Sequence, residues 1–259
     1  MRVLITGICG FVGSSVAQSL LEHDSSLAII GLDNLIRPGS ETNRGLLSSR
    51  GVKFLHGDIR CPSDFEAIPP VDWVIDTAAN PSVLAGIDGK TSSRQLIEHN
   101  LVGTVNMLEY CKRAGTGFIL LSTSRVYSIP PLAALPVQVV DQAYSPQLDR
   151  TSLDGLSADG ISEDFSTAPP ASLYGTSKSA SENLAIEYGD AFGFQVGSIV
   201  AACSPAPVNL AARIRESLPS GSTRICANGL SNTSALMEWG IRSVTVFIRA
   251  ISRRCSGSK

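Results

Sequence analysis

The sequence predicts an α/β fold, a doubly wound parallel sheet with helices on both faces. Three observations lead there. Short apolar runs alternate with stretches of helical period along residues 1–196. A glycine-rich turn joins the first run to the first helix. A chain of 259 residues that is 43% apolar is long enough for one full core and a smaller appendage.

The elements follow in order. Residues 2–6 (RVLIT) are an apolar run expected as the first strand, and Val12, Val16, Leu20 and Leu21 then recur at helical spacing. Further strands are expected over residues 27–32, 52–55, 71–75 and 118–121, each ending at polar or small residues. Residues 93–113 read as one long helix. Between them the connections are long enough for crossover helices, which implies a parallel sheet covered on both faces. From residue 128 to 172 the period dissolves into prolines, serines and aspartates, expected as a long excursion over the carboxyl edge of the sheet. A helix over 173–192 and a strand starting at 193–196 restore the pattern.

Composition excludes several partner classes. The net charge is −2 and no block of like charges occurs, so nucleic acid has no electrostatic footprint. The apolar run at the N-terminus is too short for a secretory signal, and no stretch reaches transmembrane length. A cytoplasmic protein without a membrane partner is expected. Cys9, Cys61, Cys111, Cys203, Cys226 and Cys255 lack C-x-x-C spacing, and His23, His56 and His99 do not complete a zinc set, so no metal is expected.

The stretch TGICGFVG places Gly7, Gly10 and Gly13 three apart between a strand and a helix. Glycine there lets the chain turn tightly and lets a pyrophosphate approach the backbone, while the helix start at Phe11 and Val12 offers amide donors. A glycine triplet alone is a common turn. Here Asp33 follows at the end of the second apolar run, about twenty residues on, where a carboxylate binds both ribose hydroxyls. This is the Rossmann fingerprint. A carboxylate at that place repels a 2′-phosphate and favours NAD, while Arg37 keeps an NADP reading open.

On these residues the chain resembles the extended short-chain dehydrogenase/reductases, the NAD-dependent epimerase/dehydratase family. The resemblance implies that Asp33 and Asn34 meet the adenosine ribose, Asp58 and Ile59 the adenine, and Ala78 and Ala79 the rest of the cofactor. It makes Asn100 a structural asparagine of the long helix. The run LDNLIRPGSETN is similar to that of the CDP-paratose 2-epimerases and their relatives.

Tyr174 and Lys178 stand at Tyr-x-x-x-Lys spacing, one helical turn apart on one face. A Tyr and a Lys at that spacing are commonly just an amphipathic face. After a glycine fingerprint they acquire a chemical reading: an ammonium beside a phenol lowers its reference pKa of about 10 and makes Tyr174 a general base. The resemblance adds Thr123, in STSRVY, as the hydroxyl that orients the reacting sugar alcohol, and Asn80, Ser82 and Ser124 on the substrate side. Dehydratases of the family carry an acid just after the hydroxyl residue. Ser124-Arg125 stands there instead, which favours epimerisation of a nucleotide-linked sugar, CDP-linked by the similarity above. The alternatives are a non-catalytic NAD-binding protein and a dehydratase or reductase of the same superfamily. A homodimer is a candidate assembly.

After Val196 the pattern breaks. Residues 197–259 hold eight of the 21 basic residues but two of the 23 acidic ones, Glu216 and Glu238. The sixth strand and the substrate-binding lobe expected by resemblance are absent from GSIVAACSPAPVNLAARIRES. Read one base out, codons for that stretch can spell WINRCGVLAGAGQFGRADQGIF, which looks like the family's own continuation. A one-base frameshift near codon 196 is therefore expected, dividing a domain at 1–196 from an aberrant tail at 197–259 in place of the substrate lobe.

Overall fold

The computed structural model describes residues 1–201 apart from Asp88, Lys90, Thr91, Asp141, Gln142, Asp159 and Glu163. The expectations for residues 202–259 lie outside the described residues.

The elements run β1 (Arg2–Thr6), α1 (Phe11–His23), β2 (Ala28–Asp33), α2 (Glu41–Ser49), β3 (Lys53–His56) and β4 (Trp73–Asp76). Then come α3 (Ser93–Ile97), α4 (Gly103–Ala114), β5 (Gly117–Thr123) and α5 (Ile129–Ala133). Two antiparallel hairpins follow, β6 (Val137–Val140) with β7 (Ala143–Pro146) and β8 (Leu156–Ser157) with β9 (Gly160–Ile161). The chain returns through α6 (Ser172–Phe192) to β10 (Val196–Ala201).

Six strands form one parallel sheet in the order β10-β5-β4-β1-β2-β3. The chain moves outward from β1 to β3 and then crosses back to β4. Between β1 and β4 the strand order reverses, and in open α/β sheets ligands bind beyond the carboxyl ends at such a point.

The strands are apolar on both faces because both are covered. Val3, Ile5, Ile75 and Ile119 pack with Val16 and Leu20 of α1. On the other face Leu4, Val74, Phe118 and Leu120 pack with Met107, Leu108 and Cys111 of α4 and Ala185 of α6. Burying one such side chain, Phe118 for example, contributes roughly 1.5–3 kcal/mol.

Three expectations are corrected. The long helix over 93–113 is interrupted by a π-helical turn at Glu98–Val102 before it continues as α4 to Ala114, where Gly115 in the left-handed region (φ 62°) closes it. The excursion over 128–172 contains α5 and the two hairpins, because short alternating runs such as Val137–Val140 suffice for two-stranded pairing. The sixth strand, expected to be lost after Val196, is present: Val196–Ala201 pairs in parallel with Phe118–Thr123. Its start also shifts, since Gly193 (φ 73°) caps α6 rather than opening the strand. An apolar, β-branched stretch (VGSIVA) can complete the sheet edge whatever follows it.

Candidate active site

The crevice between β1 and β4 is built by glycine. Gly7 has φ 62° and donates its N–H to the Leu32 carbonyl (2.8 Å), while Gly10 N–H closes the turn on the Gly7 carbonyl (3.0 Å). A Cβ on Gly7 would lie 2.8 Å from the Ala78 Cα. One on Gly13 would run into the Gly7 carbonyl oxygen and stand 2.7 Å from Thr77 Oγ1. Only glycine lets β1, the loop after β4 and the start of α1 meet this closely. Gly10 caps α1 without a side chain, leaving Phe11 and Val12, exposed at 65% and 40%, at the mouth.

Asp33 sits at the end of β2, with Oδ2 on the glycine loop and Oδ1 turned back on its own chain. It accepts from Cys9 N–H (2.9 Å) and from Leu35 N–H (2.8 Å), and Asn43 Nδ2 holds the Cys9 carbonyl (2.9 Å). The thiol of Cys9 is pushed up to about 11 by burial and by the Asp33 charge. Beside it, Asn34 Nδ2 donates to Asp58 Oδ2 (2.9 Å), and Arg60 clasps Asp58 through Nε (2.9 Å) and Nη2 (2.6 Å). Those Arg60 hydrogen bonds hold the Asp58 carboxyl well below the usual carboxylate range. The Ile59 side chain lies in the core against Gly103, and its carbonyl accepts from Asn106 Nδ2 (2.8 Å). Arg60 and Asp64 take part here although no motif marked them, while Asn43 closes the run LDNLIRPGSETN.

Beyond β4 the chain is anchored by amides. Ala78 N–H donates to Asp76 Oδ1 (3.1 Å), placing half-buried Ala78 against Gly7, with half-buried Ala79 next in the chain. Asn100, at the centre of the π turn, donates to the Asn80 carbonyl (3.1 Å) and accepts from Asn80 N–H (2.8 Å). Its Nδ2 also donates to Ser177 Oγ on α6 (3.2 Å). Asn80 Oδ1 in turn accepts from Ser82 N–H (3.2 Å), so one buried amide ties this loop to α6. π turns inside helices are frequent at functional sites.

Thr123 ends β5, 8% exposed, with Oγ1 accepting from Arg125 N–H (3.2 Å). Ser124 is half-buried beside it. Gly175 of α6 presses on the Arg125 carbonyl, a contact that no other residue would allow. Tyr174 is 8% exposed and packs with Ala85, Leu96 and Val83; Lys178, one turn on, is 2% exposed. Burial pushes the Lys178 ammonium down, and the Asp76 and Glu182 charges oppose that. The structure therefore brings Thr123, Tyr174 and Lys178 to the same carboxyl edge as the glycine loop. The cradle and the Asp33 carboxylate fit NAD: Gly7, Gly10 and Gly13 leave room for a pyrophosphate, and Asp33 remains able to accept from hydroxyls.

Comparison with known proteins agrees. The CDP-paratose 2-epimerase of Salmonella typhi is 30% identical over 199 residues, 74% of this chain and 54% of that protein. UDP-glucuronic acid decarboxylase 3 of Arabidopsis thaliana is 30% identical over 136 residues, 52% of this chain and 37% of that protein. The crystal structure of UDP-glucuronic acid 4-epimerase from Bacillus cereus, in complex with UDP-glucuronic acid and NAD, superposes with a TM-score of 0.60 at 26% identity. That match covers 81% of this chain and 59% of the other. The chain thus spans about half the length of the curated relatives it matches. No helix among the described residues is long and apolar enough to cross a membrane. A family model matches residues 3–214, past the Val196 at which the motifs stop, and the chain belongs to the NAD-dependent epimerase/dehydratase family.

Proposed function

We propose that residues 1–201 carry the machinery of an NAD-dependent epimerase of a nucleotide-linked sugar. The observation that carries this reading is the burial of Tyr174 and Lys178 on one face of α6, docked through Gly175 on the turn that follows Thr123. NAD, held by the glycine loop and Asp33, would supply a reversible hydride acceptor at the sugar carbon. Tyr174 takes the proton of the reacting hydroxyl and gives it back when the alcohol re-forms, Thr123 orients that hydroxyl, and Lys178 favours the phenolate and holds the nicotinamide ribose. Asn80, Ser82 and Ser124 line the substrate side. No net redox change results.

Ser124-Arg125 in place of an acid supports epimerisation over dehydration. The similarity to a UDP-glucuronic acid decarboxylase makes decarboxylation the reading to exclude. Incubation of a frame-restored chain with CDP- and UDP-linked sugars, followed by NMR, separates the three: an epimer of unchanged mass supports the proposal, and loss of water or carbon dioxide replaces it. A cytoplasmic homodimer is the proposed assembly, to be tested by sedimentation.

We also infer a one-base frameshift near codon 196, so that the family's substrate lobe is replaced beyond the sheet edge. The basic bias of residues 197–259 and the family-like string one base out support it. The chain as it stands is then expected to bind NAD weakly and not to turn over sugar, and frame restoration is expected to raise both activity and melting temperature. A stable, active unmodified chain overturns this.

A further inference from the structure

One peptide unit at the start of α6, the one joining Tyr174 to Gly175, is held at both ends by side chains. Its N–H, that of Gly175, donates to Ser172 Oγ (3.0 Å). Its carbonyl, that of Tyr174, accepts from Ser177 Oγ (2.8 Å). The first bond is a helix cap, since the opening N–H groups of a helix lack a carbonyl four residues back. Ser177 is 1% exposed and gives its single hydroxyl proton to Tyr174, so its lone pairs are left for Asn100 Nδ2 (3.2 Å). Asn100 is committed in turn: its other Nδ2 proton goes to the Asn80 carbonyl (3.1 Å), and its Oδ1 accepts from Asn80 N–H (2.8 Å). Hydrogen bonds therefore run without a break from the loop at Asn80 to the backbone of Tyr174.

Ser172 takes its place against a backbone preference. Its φ of 72° lies in the left-handed region, uncommon for a residue with a Cβ and kept only where the surroundings impose it. Contacts on both sides do so here. Before it, the Pro170 carbonyl accepts from Ile129 N–H (2.9 Å); after it, Gly175 lies on the carbonyl of Arg125, whose own N–H is held by Thr123 Oγ1 (3.2 Å). Ala171, the residue ahead of the helix, offers no capping side chain. The left-handed serine thus turns the chain from the excursion into α6 and brings its hydroxyl onto Gly175 N–H.

We propose that Ser172 and Ser177 are positioning residues that clamp the peptide between Tyr174 and Gly175, and so fix where Tyr174 stands relative to Thr123 and the Asn80 loop. They act through Tyr174 rather than on the sugar. The proposal rests on the role given to Tyr174 above.

The test is NMR of the full chain labelled with 13Cζ-tyrosine. Of its five tyrosine signals, that of Tyr174 is assigned by its loss in Tyr174→Phe, and Tyr110, Tyr127, Tyr144 and Tyr188 serve as controls. Ser172→Ala should displace the Tyr174 signal and leave the controls in place. Ser172→Asn, which keeps an acceptor and tolerates the left-handed region, should return the signal to its original position. Ser172→Gly relieves the backbone but lacks the acceptor, so it should displace the signal as Ser172→Ala does. An unmoved Tyr174 signal in Ser172→Ala, recovery in Ser172→Gly, or displacement of the controls together with Tyr174 overturns the proposal. Ser177→Ala should give the same selective displacement. If it does not fold, Ser177→Cys keeps the size, weakens both hydrogen bonds and should displace the signal by a smaller step; no displacement there also overturns the proposal. Tyr174→Phe in a frame-restored chain separates the two readings: if epimerisation survives that change while Ser172→Ala still displaces the Tyr174 signal, the proposed function fails and the clamp stands.

Discussion

The two ends of the crevice solve the same problem, holding charge at a sheet edge, in different ways. At the cofactor end the polar groups are partly exposed and answered locally: Asp33 by the Cys9 and Leu35 amides, Asp58 by Arg60 and Asn34. Under α6 the side chains of Asp76, Lys178 and Glu182 are buried, and Glu182 Oε1 has no hydrogen-bond partner among the described residues. The first end should therefore be sensitive to backbone shape, and the second to single charges and protons.

The sharpest separation comes from one atom. In a frame-restored chain, Tyr174→Phe should lower epimerisation by about 10²–10⁴-fold while NAD remains bound, because only the proton acceptor is lost. Steady-state rates and cofactor retention after gel filtration check both halves. Asp33→Ala should act the other way, weakening NAD by about 1.5–3 kcal/mol and NADP much less, since a charge-assisted acceptor of ribose hydroxyls is gone. Equal losses in calorimetric titrations with the two cofactors would remove Asp33 from the ribose site.

Backbone shape gives the next effect. Gly13→Ala should cost about 1–3 kcal/mol in urea unfolding, because its Cβ meets the Gly7 carbonyl. Gly45→Ala, in the exposed middle of α2 with open space around it, should instead gain roughly 0.5–1 kcal/mol. The smallest effect is electrostatic. Arg60 depresses the Asp58 pKa, so the pair contributes stability above the unfolded carboxylate value and loses it as pH falls through the folded one. Arg60→Met should then cost at most about 1 kcal/mol at pH 7, a partly exposed pair being screened, and the deficit should shrink below about pH 4. A deficit that persists in acid would assign Arg60 to packing.

The same contrast explains what the sequence disclosed. Strand and helix alternation was legible because both sheet faces are buried, so apolar runs mark strands even where ends shift by a residue or two, as with Ala28–Asp33. The glycine loop was legible because backbone contact admits no side chain at Gly7 or Gly13. The π turn was not, since an inserted residue leaves helical periodicity nearly intact across Glu98–Val102. Asp76 was hidden for another reason: at the end of WVID it reads as the polar stop of a strand, and only the fold shows it fully buried and held by Thr6 and Thr104. Arg60 reads as an ordinary loop residue until the fold closes it on Asp58.

The central claim is that a sugar carbon is oxidised and reduced again at one bound cofactor while Tyr174 handles the proton. The direct measurement gives a frame-restored chain a nucleotide sugar carrying deuterium on the carbon that inverts, and follows the product by NMR and mass spectrometry. We expect the epimer to retain its deuterium, with no free NADH accumulating in solution. Deuterium washed out into solvent, or a keto sugar released with stoichiometric NADH, would contradict it.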